Sequence, residues 1–169
     1  MNSRTTLAMT AVLLLCLGII FPGSYAVGQQ SAKINKAQLV GTWTLASNTT
    51  AVGQPFGPND GVAIFEPNGR FSLQLVRSDL PKFASNNRGT GTPEENKAVV
   101  QGSISYFGTY ALNESDGVLT LHIERCSFPN WNGTDQKRTI SSLTAEELKY
   151  TNPAASTGGT AELTWKRAK

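Results

Sequence analysis

Two segments rich in aromatic and polar residues carry most of the side chains that could recognise a ligand. The first, CSFPNWNGTDQKR at 126–138, contains Phe128 and Trp131 together with amide and charged groups. The second, PKFASNNR at 81–88, joins Phe83 to two amides and two cations. Aromatic rings cover apolar ligand surface, whereas cations and amides bind carboxylates or other oxygen-rich groups. The pattern therefore predicts a site for a small hydrophobic or amphipathic molecule.

The candidate residues for such a site lie in predicted loops, and they combine aromatic rings with charged groups. An alternative is that the aromatic residues only pack the loops against one another as a lid, and that the Asn and Ser residues cap turns. The two interpretations are compatible, because a lid over a cavity also controls access to it. The candidates are Phe56, Lys82, Phe83, Arg88, Phe128, Trp131 and Asp135.

A compact catalytic or metal-binding signature is missing from the sequence. No nucleophile elbow, Walker loop, dinucleotide fingerprint or HExxH motif occurs in it. His122 is the one histidine and has no cysteine partner at the spacing of zinc ligands. It also alternates with Leu121 and Ile123, so we expect it on the outer face of a strand. We predict no metal and no cofactor, and we assign no catalytic residue.

The first 26 residues have the pattern of a cleaved secretion signal. Arg4 precedes the apolar stretch LAMTAVLLLCLGII at 7–20, and the small residues Ser24 and Ala26 follow it. A membrane anchor is the competing interpretation, but the stretch is shorter than the roughly 20 residues that span a bilayer. We therefore predict a secreted or periplasmic protein with no membrane span after cleavage.

The net charge of the chain without the predicted signal identifies no macromolecular partner. The chain has 15 basic and 12 acidic residues, and loss of Arg4 with the signal leaves 14 basic ones and a net charge of +2. The basic residues are scattered, which argues against nucleic-acid binding.

Cys126 would be the single cysteine left, so no intramolecular disulfide can form, and we expect it to be structural. The oligomeric state stays open, as does the use of the sequons at Asn48, Asn113 and Asn132.

Apolar and polar residues alternate with a period of two through most of the sequence after residue 40. Two short helices are predicted as well, at 31–39 and 92–102, the second with Thr92 as N-cap and Glu95 completing a capping box. The alternation predicts eight strands, at 41–46, 62–66, 70–77, 103–112, 118–125, 138–143, 147–151 and 160–166.

Eight consecutive antiparallel strands fit an all-β, up-and-down barrel, which leaves no exposed sheet edge. Residues 27–38 would form an N-terminal arm with the first short helix, and 39–169 the barrel domain, with the second helix in its third connection. Long connections alternate with tight turns, and each strand reverses direction, so the long ones must gather at one end. This end would be formed by residues 47–61, 78–102, 126–137 and 152–159.

Inward-facing residues of two predicted strands would line a mainly apolar cavity. Phe71, Leu73 and Arg77 share one strand face, and Tyr106 and Tyr110 share another. Arg77 and the two tyrosines would then offer polar contacts inside the barrel.

Five segments, in this order, carry a family resemblance: LVGTWTLAS at 39–47, GVAIFEPNGRFSLQLVR at 61–77, TPEENKAVVQGSISYFGTY at 92–110, SFPNWNGTDQKR at 127–138 and ELKYTNPA at 147–154. Together they resemble the lipocalin-like domain proteins of microbes, which are barrels of the calycin type. The resemblance implies an eight-stranded barrel that binds small hydrophobic molecules. It also implies that Gly41 and Trp43 close the floor, with Lys166 or Arg167 packed over the indole.

Three hypotheses for the function follow. The leading one is a secreted or periplasmic protein that binds a largely hydrophobic small molecule in the barrel, through its rim of long loops. The second is an isomerase-type or cyclase-type enzyme, with Tyr106, Tyr110, Arg77 and Glu124 as candidates for acid–base chemistry. The third is an interaction module of the cell envelope, which an exposed apolar patch would favour.

Overall fold

The computed structural model describes residues 34–50 and 57–169. The predicted signal peptide at 1–26, most of the predicted arm and the candidate Phe56 lie outside the described residues. Among the helices that are described, none has the length and apolar character needed to cross a membrane.

The described residues form eight antiparallel strands that close into one barrel. Each strand pairs with its neighbours in sequence, and the first strand pairs with the last. The predicted eight-stranded, up-and-down, all-β barrel is therefore confirmed. In chain order the strands are β1 (Gly41–Thr50), β2 (Asn59–Phe65), β3 (Arg70–Arg77), β4 (Ser103–Asn113), β5 (Val118–Cys126), β6 (Asp135–Leu143), β7 (Glu147–Asn152) and β8 (Ala161–Arg167).

Within the described residues, two short α-helices accompany the strands. The second helix begins as predicted, because the Thr92 hydroxyl accepts from the Glu95 N–H and the Glu95 carboxylate accepts from the Thr92 N–H. The first helix is shorter than the predicted 31–39, because the Asn35 side chain accepts a backbone N–H of the first turn and caps the helix there. The helices are α1 (Lys36–Leu39) and α2 (Pro93–Gly102).

Apolar side chains fill one half of the barrel interior. Phe65 meets Tyr110 edge to face, with ring centroids 5.2 Å apart, and stacks on Phe71 at 6.2 Å. The Tyr110 hydroxyl donates to the Glu66 carbonyl at 2.8 Å, at the tight turn between β2 and β3. Phe71, Leu73 and Tyr110, predicted to line a cavity, are instead buried in this core, because the facing strands supply enough aromatic volume to fill it.

An arginine packed on a tryptophan covers this end of the barrel. The Arg167 guanidinium lies 4.2 Å from the centroid of the Trp43 ring, and Trp43 is fully buried. The Trp43 indole N–H donates to the Leu39 carbonyl at 2.8 Å. Gly41 has a φ of 132°, and a Cβ built on it would lie 2.5 Å from Arg167 Nη1. The structure thus brings Gly41, Trp43 and Arg167 together, in the arrangement that the family resemblance implies.

The strand ends that the four long connections join lie at the opposite end of the barrel. These connections comprise residues 51–58, 78–102, 127–134 and 153–160. Two of them are shorter than predicted, because β1 continues to Thr50 and β6 begins at Asp135. We call this the open end and the end with Trp43 and Arg167 the closed end.

Candidate functional site

A small cavity, about 30 Å³ in volume, lies inside the open half of the barrel and is called the inner cavity below. This volume holds about two water-sized groups, which suits the head group of a ligand and not a whole ligand. The strands contribute apolar and polar side chains, and the connection between β7 and β8 covers them. The lining residues are Asn48, Leu75, Ile104, Tyr106, Trp131, Arg138, Tyr150, Asn152, Ala155, Ser156, Thr157, Ala161 and Leu163.

Three buried polar residues line the inner cavity. Asn48, Arg138 and Asn152 are 5%, 1% and 7% exposed, respectively. Asn48 faces inward because the pairing of β1 with β8 shifts between Leu45 and Ser47, and such a bulge reverses which residues point into the barrel. Burying polar groups costs free energy unless they are paired, so a polar group placed in this cavity could supply partners to these side chains.

Arg138 is the one charged side chain among those that line the inner cavity. Its Nη1 donates to the Lys137 carbonyl at 2.8 Å, while Nε and Nη2 have no hydrogen-bond partner within the described part of the chain. The guanidinium lies 5.9 Å from the centroid of the Trp131 ring. No carboxylate lines the cavity, and Arg138 takes part in no ion pair with the described residues. The cavity therefore presents an uncompensated positive charge with two free donors.

Two buried tyrosines stand beside this charge. Burial raises the pKa of Tyr106 and of Tyr150, and the positive charge of Arg138 opposes that effect in both. Both hydroxyls stay protonated at neutral pH and can donate hydrogen bonds. Tyr106 is held in place by an edge-to-face contact with Trp131, at a centroid distance of 5.5 Å.

A larger cleft, about 660 Å³ in volume, opens beside the inner cavity and is called the outer cleft. It lies between α2, the start of β4 and the connections after β5 and β7, with Val99, Val100 and Phe128 among its apolar walls. Small-molecule sites in proteins have volumes of roughly 300–1,000 Å³. Both cavities are lined by Ile104, Ser156 and Thr157, so they are adjacent.

Four of the predicted site residues line these two cavities. Trp131 and Tyr106 line the inner cavity, and Phe128 and Arg77 line the outer cleft. Arg77 lies at the open end and not deep in the barrel, and its Nε and Nη2 each donate to the Asp79 carboxylate at 2.7 Å. This hydrogen-bonded pair raises the pKa of Arg77 and lowers that of Asp79. The charge of Arg77 is thus already compensated.

Three other candidates, Lys82, Phe83 and Arg88, line neither cavity. The Glu95 carboxylate accepts from the Ala84 N–H at 2.8 Å, which folds their segment back onto the start of α2. Lys82 and Arg88 are exposed there, and Phe83 is half-buried. The three residues therefore form no part of either cavity wall, and their contact with a ligand at the rim stays a prediction.

Asp135 and Lys137 belong to β6 and not to the preceding connection. Pairing of β5 with β6 extends as far as His122 and Asp135, which is why the strand begins earlier than predicted. The His122 Nδ1 and the Asp135 Oδ1 are 2.8 Å apart, and both side chains are more than half exposed. His122 faces outward as predicted, and Asp135 lies beside it on the outer surface as the first residue of β6. A contact of Asp135 with a ligand stays a prediction.

The residues proposed for acid–base catalysis are separated in the structure. Glu124 accepts from Arg70 on the outer surface, and Arg70 lowers its pKa. Tyr110 is at the closed end, Arg77 is at the open end, and only Tyr106 of the four lines the inner cavity. The four residues proposed for acid–base chemistry therefore do not come together in one site.

Four lining residues, Asn48, Arg138, Tyr150 and Asn152, were not among the predicted candidates. For Arg138 the sequence does carry a signal, because it shares a strand face with the apolar Ile140. Tyr150 and Asn152 likewise share the face of Leu148. For Asn48 the sequence carries no such signal, because the bulge that turns this residue inward cannot be recognised from the sequence.

Cys126 has a structural environment. Its Sγ accepts from the Phe128 N–H at 3.2 Å, and burial raises the pKa of the thiol. Within the described residues no group of three or more His, Cys, Asp or Glu side chains could hold a metal ion. Of the three sequon asparagines, Asn113 and Asn132 are exposed and Asn48 is buried.

Comparison with known proteins relates the chain to one domain family. The chain is similar to a redesigned β-barrel at 16% identity, with a TM-score of 0.47, over 82% of this chain and 99% of that one. It is also similar to a de novo designed fluorescence-activating β-barrel at 11% identity, with a TM-score of 0.44, over 80% of this chain and 100% of that one. No curated protein matches it. The sequence profile of the lipocalin-like domain matches residues 38–168, and the chain therefore belongs to the lipocalin-like domain family.

Proposed function

We propose that this protein binds a small, largely apolar molecule that enters at the open end, lies in the outer cleft and places one end in the inner cavity. The observation that carries the proposal is the adjacency of the two cavities, which share Ile104, Ser156 and Thr157 as walls. A cleft of about 660 Å³ alone accepts a small ligand, and the cavity of about 30 Å³ behind it accepts a terminal group.

The apolar walls of the outer cleft supply the affinity in this proposal. Val100 is 76% exposed on α2 and faces the cleft, so a bound molecule would remove its side chain from water. Phe128 packs edge to face on Trp131, at a centroid distance of 6.0 Å, and this pair links the wall of the cleft to that of the inner cavity. Burial of apolar area contributes roughly 25 cal/mol per Å².

Titration of the protein with dodecanoate and with dodecanol, followed by calorimetry, tests the proposal. We expect at least one of them to bind, and Val100→Asn to weaken that binding several-fold. Val62→Asn is the matched control, because Val62 is 41% exposed on the outer surface and lines neither cavity. Failure of both compounds to bind, or equal losses in the two variants, would contradict the proposal.

We also propose, from the pattern of residues 1–26, that the protein acts after export across a membrane. The measurement is the intact mass of the protein isolated from its own host. A mass that begins after Ala26 supports export, and an uncleaved chain in the cytoplasm contradicts it.

A further inference from the structure

The inner cavity holds a buried cation for which the described residues supply no counter-charge. Arg138 is 1% exposed, and its Nε and Nη2 have no hydrogen-bond partner among the residues that the structure describes. We propose that the inner cavity binds the carboxylate head group of the ligand, with Arg138 as its charge partner. The inference rests on the proposed function and adds the chemical class of the ligand to it.

The geometry of the free donors supports this choice. Nη1 of Arg138 is occupied by the Lys137 carbonyl, which leaves Nε and Nη2. Nε with one terminal nitrogen forms an edge of the guanidinium that can donate two parallel hydrogen bonds to the two oxygens of one carboxylate. Such a pair would satisfy both orphaned donors and neutralise the buried charge in one step, because a carboxylate carries a single negative charge.

The surroundings of Arg138 complete the head-group site. Tyr106 and Tyr150 line the same cavity, and a tyrosine hydroxyl can donate to a carboxylate oxygen. Asn48 also lines it, and its Oδ1 has no partner in the described ranges 34–50 and 57–169. Because an amide can turn by 180°, Asn48 can present its NH₂ group to an anion instead. These groups are polar and uncharged, so Arg138 alone supplies the charge.

Size and charge favour a carboxylate over a phosphate. The cavity of about 30 Å³ holds about two water-sized groups, which matches the two oxygens of a carboxylate. A phosphate monoester adds a third oxygen and a second negative charge at neutral pH, and the described residues place no second cation in the cavity wall. The apolar walls of the adjoining outer cleft then select a carboxylate that carries an apolar chain.

The test compares matched ligands by calorimetry at neutral pH: dodecanoate, dodecanol, acetate and dodecyl phosphate. The variants are Arg138→Met, which keeps the length and volume without the charge, and Arg125→Met as a control. The control is close, because Arg125 also donates its Nη1 to the carbonyl of the preceding residue, but on the exposed surface. Thermal unfolding of each variant reports whether it is folded.

We expect dodecanoate to bind the native protein at least about tenfold more tightly than dodecanol, since two hydrogen bonds to a charged group exceed the 1.4 kcal/mol that a tenfold ratio requires. Arg138→Met should reduce this ratio to about one, with dodecanol binding and the Arg125→Met variant unaffected. Acetate should bind far more weakly than dodecanoate, because it lacks the chain, and dodecyl phosphate should bind more weakly than dodecanoate.

Equal affinity of the native protein for dodecanoate and dodecanol overturns the inference and leaves the proposed function intact, whereas failure of both to bind overturns the two together. The inference is also overturned if Arg138→Met leaves the ratio of the affinities for dodecanoate and dodecanol unchanged. If Arg138→Met does not fold, Arg138→Lys replaces it. Lysine keeps the charge but not the paired donors, so the ratio of the affinities for dodecanoate and dodecanol should fall but stay above one. An unchanged ratio overturns the inference.

Discussion

Replacement of Arg167 by alanine should open the closed end of the barrel and lower the stability of the whole domain. The Arg167 guanidinium donates hydrogen bonds to the carbonyls of Val40, Gln38 and Ala145, and it packs on the Trp43 ring at 4.2 Å. These contacts tie the start of β1 to the end of β8 and to the turn between β6 and β7. The substitution therefore removes the connection among three elements at once.

The size of the effect follows from these contacts. A hydrogen bond to a charged group contributes about 1.5–3 kcal/mol and a cation–π contact about 0.5–2 kcal/mol. Because this region is only partly buried, water can replace part of each lost bond, and we expect a net loss of about 3 kcal/mol in the free energy of unfolding. That is a large fraction of the 5–15 kcal/mol typical of a domain.

Urea unfolding followed by tryptophan fluorescence measures this loss directly. Arg167→Lys is the matched control, because lysine keeps the charge over the Trp43 ring but cannot reach three carbonyls, so we expect it to recover less than half of the stability. A loss below about 1 kcal/mol for Arg167→Ala would contradict this prediction, since the contacts of Arg167 would then contribute no more than an exposed ion pair.

Two further predictions concern stability. Gly108→Ala should destabilise the barrel by about 3 kcal/mol or more, because its Cβ would overlap the backbone carbonyl oxygen of His122 at a bulge between β4 and β5. Unchanged urea unfolding would contradict this. Glu95 contributes stability above its ordinary pKa of 4.5 that is lost as the pH falls through its lowered pKa, which the Ala84 N–H holds down first of all. Glu95→Gln should therefore lose less stability than the native protein when urea unfolding is repeated below that value, and equal pH dependence of the two would contradict the assignment.

Much of the fold could be predicted because its determinants are local. The alternation around Phe71 and Leu73 sets which face of β3 is buried, and the capping box at Thr92 sets where α2 begins. Strand ends were less predictable, because β6 extends to Asp135 through pairing with β5, and pairing depends on residues distant in sequence.

The candidate site was harder to predict because it depends on how much volume the core fills. Phe71, Leu73 and Tyr110 face inward as predicted, but they pack against one another, and space remains only in the open half. Arg138 shares a face with Ile140, yet a charged residue next to Lys137 has the appearance of a surface cluster. Its burial follows from the closure of the barrel, which no single segment reveals.

Hydrogen bonding at the Nε–H of Arg138 tests most directly whether this buried charge binds a carboxylate. The ¹H–¹⁵N spectrum of the arginine Nε–H groups reports it, with the Arg138 signal assigned by its absence from the Arg138→Met variant. We predict that this signal moves downfield when dodecanoate is added and stays in place when dodecanol is added. A signal that does not move while dodecanoate binds would contradict it.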